Sequence, residues 1–235
     1  QLVDNTYSGE IDRIPWGRDS AYYLGITNSQ EVVILARQDV EIQCQENLGR
    51  DPRDRVTFTN TALLGRSAVD LPANAVRWLC ALIRSAQIAG ASARCLEISV
   101  KYVGEREQFG RTLSRFQAVQ HNLAIMAGSL ATVESMSATA FQAMDHYGIG
   151  TNGRDAEFEI AAAKCRASDT VESITRIAHQ VHGAIGFTYE YGLHFLTRRL
   201  WSWRAEFGGR SEWAQYLGEI AKQQGGDKIW AYITN

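Results

Sequence analysis

The chain has 235 residues, and its 24 Lys+Arg against 26 Asp+Glu leave a formal charge of -2. That balance excludes a protein that coats polyanions by bulk charge, and 45% hydrophobic against 21% charged residues excludes global disorder. The length fits one large domain or two unequal ones.

Up to about residue 70, short apolar runs alternate with turn residues. Ala21–Ile26, Val32–Leu35, Val40–Cys44 and Val56–Phe58 are the apolar runs, and Asn28-Ser29 and Asn47-Leu48-Gly49 punctuate them. The Val40 run alternates apolar and polar, the period of a half-buried strand. These features predict an antiparallel β segment over residues 1–66. After Leu71-Pro72 the period becomes helical, with Val76, Leu79, Cys80 and Ile83 at i, i+3, i+4 and i+7. The first helix is expected to end near Val103, interrupted by Gly104. A second is expected to start at Ser114 as N-cap and to stop at Gly148, Gly150 and Gly153. Further helices are predicted over residues 155–181, 191–201 and 211–223. Long helices on short connections make an antiparallel bundle. The expected class is α+β, mostly α, with a β domain over residues 1–70 and a helical bundle domain over residues 71–235.

Four cysteines, Cys44, Cys80, Cys95 and Cys165, show neither CxxC spacing nor a zinc-ligand pattern. They read as reduced thiols of a cytoplasmic protein, and no metal site is expected. No apolar run approaches the ~18–20 residues that cross a bilayer. The chain begins with Gln1 and no apolar leader follows, so no targeting peptide is expected and the chain reads as a processed or partial version of a longer one.

Three clusters could carry chemistry. Tyr102–Gly110 joins the first two helices and continues into Leu113 and Phe116–His121, grouping Arg106, Gln108, Phe109 and Gln117 around a Gly-containing turn. An Arg pairs with phosphate in a forked geometry, and Gln bonds amide or ribose groups. By themselves these residues read first as a capped helix–helix turn with surface polar groups. Gln180–Glu190 contains Gly183 and Gly186, which let backbone approach a ligand closely but also serve as ordinary helix ends. His182 beside them reads as a packed or capping histidine. Leu193–Gly209 holds three Arg and two Trp, an aromatic-basic pattern, but the net charge argues against nucleic acid and for an amphipathic helix at an oligomer interface. No P-loop, HExxH, GxSxG or paired-carboxylate motif is present.

In this order and spacing the clusters resemble the acyl-CoA dehydrogenase family. Arg106, Phe109, Gly110, Gln117 and Gln120 match its R-x-x-F-G…F-Q…Q signature. Gln180, Gly183, Gly186, Phe187 and Glu190 match its Q-x-x-G-x-x-G-F/Y…E signature. Arg198 fits the Arg of the following helix, and Ile14–Ala21 resembles a segment of the family's middle β domain. The resemblance implies FAD-dependent α,β-dehydrogenation of an acyl-CoA thioester, with electrons passed to an electron-transfer acceptor. It implies a partial chain that lacks the N-terminal helical domain and the front of the β domain. It implies that Arg106, Gln108, Phe109 and Gln117 on one side, and Gln180, Gly183 and Ala184 on the other, hold the adenosine and pyrophosphate of FAD at a subunit interface. Ala184 stands where many members have a second Gly.

At the family's two positions for the catalytic base this chain has Phe207 and Cys80, so no catalytic residue is assigned. Glu206 lies one residue early and reads as a structural charge paired with Arg204 or Arg210, or alternatively as a shifted base. Intact cofactor residues without a base resemble the non-catalytic smaller subunit of bacterial α2β2 heterotetramers, several of which act on bulky acyl-CoA esters including steroid side chains. The alternatives are a self-sufficient homo-oligomer using Glu206, or a flavin-free structural subunit.

Overall fold

A computed structural model describes residues 2–38, 40–150 and 154–234. The chain forms two compact units, Gln1–Arg77 with Ile149–Asn152, and Trp78–Gly148 with Gly153–Asn235. Gly153, expected among the residues that end the second helix, lies outside the described residues.

The first unit is an antiparallel sheet built on one long strand. Its strands are β1 (Leu2–Val3), β2 (Thr6–Pro15), β3 (Tyr22–Ile26), β4 (Glu31–Ala36), β5 (Val40–Gln43) and β6 (Arg53–Ala68). β6 pairs with β2 and β5 along its first half, through Glu10↔Thr57 and Glu41↔Thr57, and with β4 along its second, from Leu35↔Leu63 to Glu31↔Ala68. The sequence showed only the short run Val56–Phe58, because the rest of β6 is rich in polar residues. Partner strands supply the backbone bonds that hold those residues extended. The core alternates as a pleated strand requires: Val33 and Leu35 of β4 meet Val56 and Phe58 of β6, with Tyr23 and Leu63. Tyr7 and Tyr23 pack edge-on against Phe58, at 5.4 and 5.3 Å between ring centroids.

After β2 the chain turns through a single 3-10 turn, Gly17–Asp19. Asp54, whose side chain is fully buried, ties this corner to β6. Its carboxylate accepts from the Arg18 backbone N–H (2.7 Å), from Arg18 Nη2 (2.6 Å) and from the Gln45 N–H (3.0 Å). Arg18 Nη2 also donates to the Gln45 carbonyl at 2.8 Å.

The second unit is a helical bundle. It contains most of α1 (Ala75–Glu105), together with α2 (Gln117–Tyr147), α3 (Glu157–His182), α4 (Leu193–Trp203), α5 (Arg210–Gln224) and α6 (Gly226–Thr234). Ile88, Cys95 and Val103 of α1, Met126 and Val133 of α2, Val171, Ile174 and Val181 of α3, and Leu193 and Leu200 of α4 share one core. Burial pushes the Cys95 thiol up to about 12, which keeps it protonated. None of the described helices is long and apolar enough to cross a membrane.

Two local expectations are corrected. Gly104 does not interrupt α1, which continues through it to Glu105; tertiary packing outweighs the roughly 1 kcal/mol a helical Gly costs. Ser114 is not the N-cap of α2. It lies in a 3-10 turn, Leu113–Arg115, and Phe116 is the cap residue, with no side-chain cap bond. The cause is an unforeseen hairpin between the helices, β7 (Glu107–Gln108) and β8 (Arg111–Thr112). α6 was also not foreseen in the sequence. Arg154 holds its end by donating to the Tyr232 carbonyl at 3.3 Å, a cation at a helix C-terminus.

Candidate functional site

The first cluster sits on the hairpin after α1. Arg106 N–H still donates to the Tyr102 carbonyl, and the Arg106 carbonyl accepts from Leu113 N–H, which closes the loop. Phe109 and Gly110 have φ of 55° and 77°, the pair of left-handed residues a two-residue hairpin turn demands. Phe109 is left at the tip, 90% exposed. Arg111 lies 4.1 Å from the Phe116 ring centroid and covers it.

The second cluster sits where α3 ends. Gly183 has φ 64° and ψ −144°, a conformation that L side chains rarely adopt, and its N–H donates to the His179 carbonyl. A Cβ at Gly183 would meet nothing within 4 Å, so its backbone faces open space. Ala184 keeps an ordinary negative φ in the following 3-10 turn, so a side chain is tolerated there.

Gly186 is the buried residue of this turn. A Cβ there would lie 3.0 Å from Leu193 Cδ2 and 3.2 Å from His182 Cβ. Gly186→Ala is therefore expected to destabilise the bundle by about 1–3 kcal/mol, read as a lower midpoint in urea unfolding. An unchanged midpoint would show that these neighbours yield freely.

The two clusters meet. Arg106 and Gln108 of the hairpin and Gln180 and Gly183 of the α3 end line one cleft of about 430 Å³. Tyr102, Leu113, Ala118, Val119, Asn122, Val181 and His182 complete its walls, and sequence reasoning had not singled these out as ligands. Asn122 had a signal, four residues after Ala118 on the same helix face. Phe109, Gln117 and Ala184 do not line this cleft; all three are exposed. Gln120, part of the first signature, donates to the Ser114 carbonyl at 2.8 Å and serves the turn.

His182 is a packed histidine. Its Nδ1 lies 2.7 Å from the Ala178 carbonyl and its Nε2 3.1 Å from the Tyr191 hydroxyl, and its ring stacks on Tyr102 at 4.5 Å. Burial lowers its pKa, and that of His179, so both rings stay neutral near pH 7.

The residues expected at the base positions lie apart from the cleft lining. Phe207 follows α4 with φ 58°, next to Gly208 at φ 101°. Glu206 does not pair with Arg204 or Arg210. Its Oε2 accepts from Arg84 Nε (2.8 Å) and Nη2 (2.7 Å), a forked pair from α1 in which Arg84 and Glu206 side chains are 9% and 14% exposed. Arg204 instead lies 4.6 Å from the Trp201 ring, and Arg210 pairs with Asp169 at 3.0 Å. Burial pushes the Cys80 thiol up, opposed by Arg84.

Residues 79–217 match the family described as "Acyl-CoA dehydrogenase, C-terminal domain". Acyl-CoA dehydrogenase IpdE2 of Mycolicibacterium smegmatis is 32% identical over 119 residues, 51% of this chain and 35% of its own length. The chain thus spans about a third of that curated relative. Among solved structures, the ChsE4-ChsE5 complex from Mycobacterium tuberculosis matches with TM-score 0.80 and 20% identity, over 92% of this chain and 59% of that one. A glutaryl-coenzyme A dehydrogenase–glutaryl-CoA complex matches with TM-score 0.77 and 20% identity, over 92% and 58%. These likenesses show a shared, mostly α fold. The family match covers more than half of the sequence and contains both signature loops and the cleft between them; the chain belongs to the acyl-CoA dehydrogenase family.

Proposed function

We propose that this chain is the FAD-holding, base-lacking subunit of an acyl-CoA dehydrogenase, paired with a homologous subunit in an α2β2 assembly. The observation that carries this reading is a contrast. The cofactor-end residues Arg106, Gln108, Gln180 and Gly183 converge on one cleft, while the family's base positions hold Phe207 and Cys80.

The cleft fits one end of a dinucleotide. Arg106 supplies an exposed guanidinium for the pyrophosphate, Gln108, Gln180 and Asn122 supply amides for ribose or adenine, and Leu113, Val119 and Val181 make an apolar floor. Gly183 removes the side chain where a ligand approaches the backbone. Phe109, Gln117 and Ala184 complete the set from the exposed rim, and Phe109, projecting from the hairpin, reaches a cofactor held largely by the neighbouring subunit. The bound flavin would take the hydride that leaves the substrate Cβ and pass electrons to an electron-transfer acceptor. The α proton goes to a carboxylate that the partner must supply, because Glu206 is engaged by Arg84.

The bundle domain, residues 71–235, would carry both the FAD contacts and the subunit interface, with residues 1–70 as part of a β domain. α2 supports the interface. Between Asn122 and Met144 its one charged residue is Glu134, and Ala124, Ile125, Ala131, Ala138 and Phe141 are exposed. Such a face suits burial against another subunit. The ChsE4-ChsE5 complex, in which a chain of this fold is joined to a differently named one, supports pairing with a second subunit. The substrate class is an acyl-CoA, with fatty or steroid side chains as the leading candidates, and the reduced thiols fit the cytoplasm.

The test is co-expression with a homologous acyl-CoA dehydrogenase subunit, followed by flavin stoichiometry and acyl-CoA-dependent reduction of a dye acceptor. The complex is expected to turn over. This chain alone, with FAD added, is expected to be slower by roughly 10²–10⁴, the usual value of a general base. Comparable turnover by a purified homo-oligomer would overturn the reading. Glu206→Gln is expected to leave turnover of the complex intact; its abolition with flavin retained would instead make Glu206 the base. A complex without flavin absorbance would leave this chain a structural subunit.

A further inference from the structure

Lys164 lies on α3 with no exposed surface, in none of the roles described above. Its Nζ donates to three oxygens: Ser168 Oγ at 2.9 Å, the Arg204 carbonyl at 3.1 Å and the Gly208 carbonyl at 2.7 Å. Ser168 Oγ in turn donates to the same Arg204 carbonyl at 2.9 Å, and Trp213 Nε1 to the same Gly208 carbonyl at 3.1 Å. The two carbonyls bracket residues 204–208, the bend that carries Glu206 and Phe207. Between them Phe207 occupies the left-handed region at φ 58°, a conformation that surrounding contacts must hold. The same bend presents Glu206 to Arg84, whose guanidinium lies 5.4 Å from the Trp203 ring and 5.6 Å from the Phe207 ring.

We propose that Lys164 is the positioning residue of the 204–208 bend, tethering both its ends, and that loss of one ammonium proton breaks one of its three hydrogen bonds and so loosens the tether. An ammonium has three N–H donors for its three oxygens; a neutral amine has two. One of the three oxygens must then give up its bond to Nζ. The charged and titratable groups around Lys164 come from each neighbouring element: Arg84 on α1 repels the ammonium, while Glu206 on the bend, Glu212 on α5 and Cys165 on α3 itself favour it. Burial, with Arg84, brings the amine down to about 8. The functional meaning, a bend that holds an aromatic side chain where relatives place a carboxylate and keeps Glu206 on Arg84, rests on the base-lacking reading. The tether does not, and its test needs no turnover.

The test is reversible titration of tryptophan emission and near-ultraviolet circular dichroism from about pH 6.5 to about pH 10, with Trp213→Phe identifying the signal of the indole that shares the Gly208 carbonyl. The native chain is expected to show a transition centred near 8. Lys164→Met is expected to remove it. Ser168→Ala, a milder change, takes one acceptor from the ammonium and is expected to move the midpoint down by about one unit. A flat profile in the native chain, the same transition in Lys164→Met, or an unmoved midpoint in Ser168→Ala would each overturn the proposal. If Lys164→Met does not fold, Ser168→Ala decides.

Discussion

Arg106→Ala is expected to weaken FAD binding to the assembled complex by about 10- to 100-fold. A hydrogen bond to a charged group contributes about 1.5–3 kcal/mol, and each 1.4 kcal/mol is roughly tenfold in affinity. Arg106 is exposed on the hairpin and makes no ion pair among the described residues. Its loss should therefore leave folding within about 0.5 kcal/mol of the native value. Gln180→Ala, which removes a neutral partner from the same cleft, is expected to cost about 1 kcal/mol, near fivefold. Flavin absorbance and fluorescence titrations of the purified complexes, with a urea melt of each variant, separate the two effects. Unchanged flavin retention in Arg106→Ala would remove the cleft from the cofactor site.

Asp54→Ala is expected to destabilise the β unit by about 3 kcal/mol, the size of effect seen when one partner of a largely buried pair is removed. The carboxylate satisfies the backbone N–H groups of Arg18 and Gln45 as well as the guanidinium, so its removal leaves several donors without an acceptor at one corner. The same group sets an acid limit. Arg18's guanidinium, helped by the two backbone N–H groups, holds Asp54 at about 2, against 3.8 for an ordinary Asp. The unfolded chain therefore binds this proton more readily, and the stabilisation is complete above about pH 4 and lost as the pH falls toward 2. It amounts to about 2 kcal/mol. Urea midpoints measured across this range are expected to fall with pH in the native chain and to fall less in Asp54→Asn. Equal slopes in the two would show that other carboxylates carry the acid limb.

The alternating run Val40–Gln43 and the apolar spacings of α1 were legible because each pattern is local: pleat and helix repeat within a few residues. The long strand β6 was legible only in part, since its polar residues are held extended by partner strands on both edges rather than by their own preference. A Gly-containing turn was legible here, but its hairpin form was hidden by Phe109 before Gly110, since Phe at a positive φ is uncommon.

By itself the sequence determined the succession of a β segment and long helices and the order of the two signature loops. These are properties of residue order, readable without a fold. Tertiary structure alone decided which signature residues share a cleft: Arg106 and Gln108 face Gln180 and Gly183 because the chain after α1 lies beside the end of α3, where Tyr102 stacks on His182, while Phe109, Gln117 and Ala184 stay outside. It also decided that Glu206 meets Arg84, 122 residues away, and that Lys164, a lysine in an Ala-rich run, is buried against the carbonyls of Arg204 and Gly208. A charge costs too much to bury unless oxygens converge on it, and that convergence is made by segments of α3 and the 204–208 bend that no local pattern brings together.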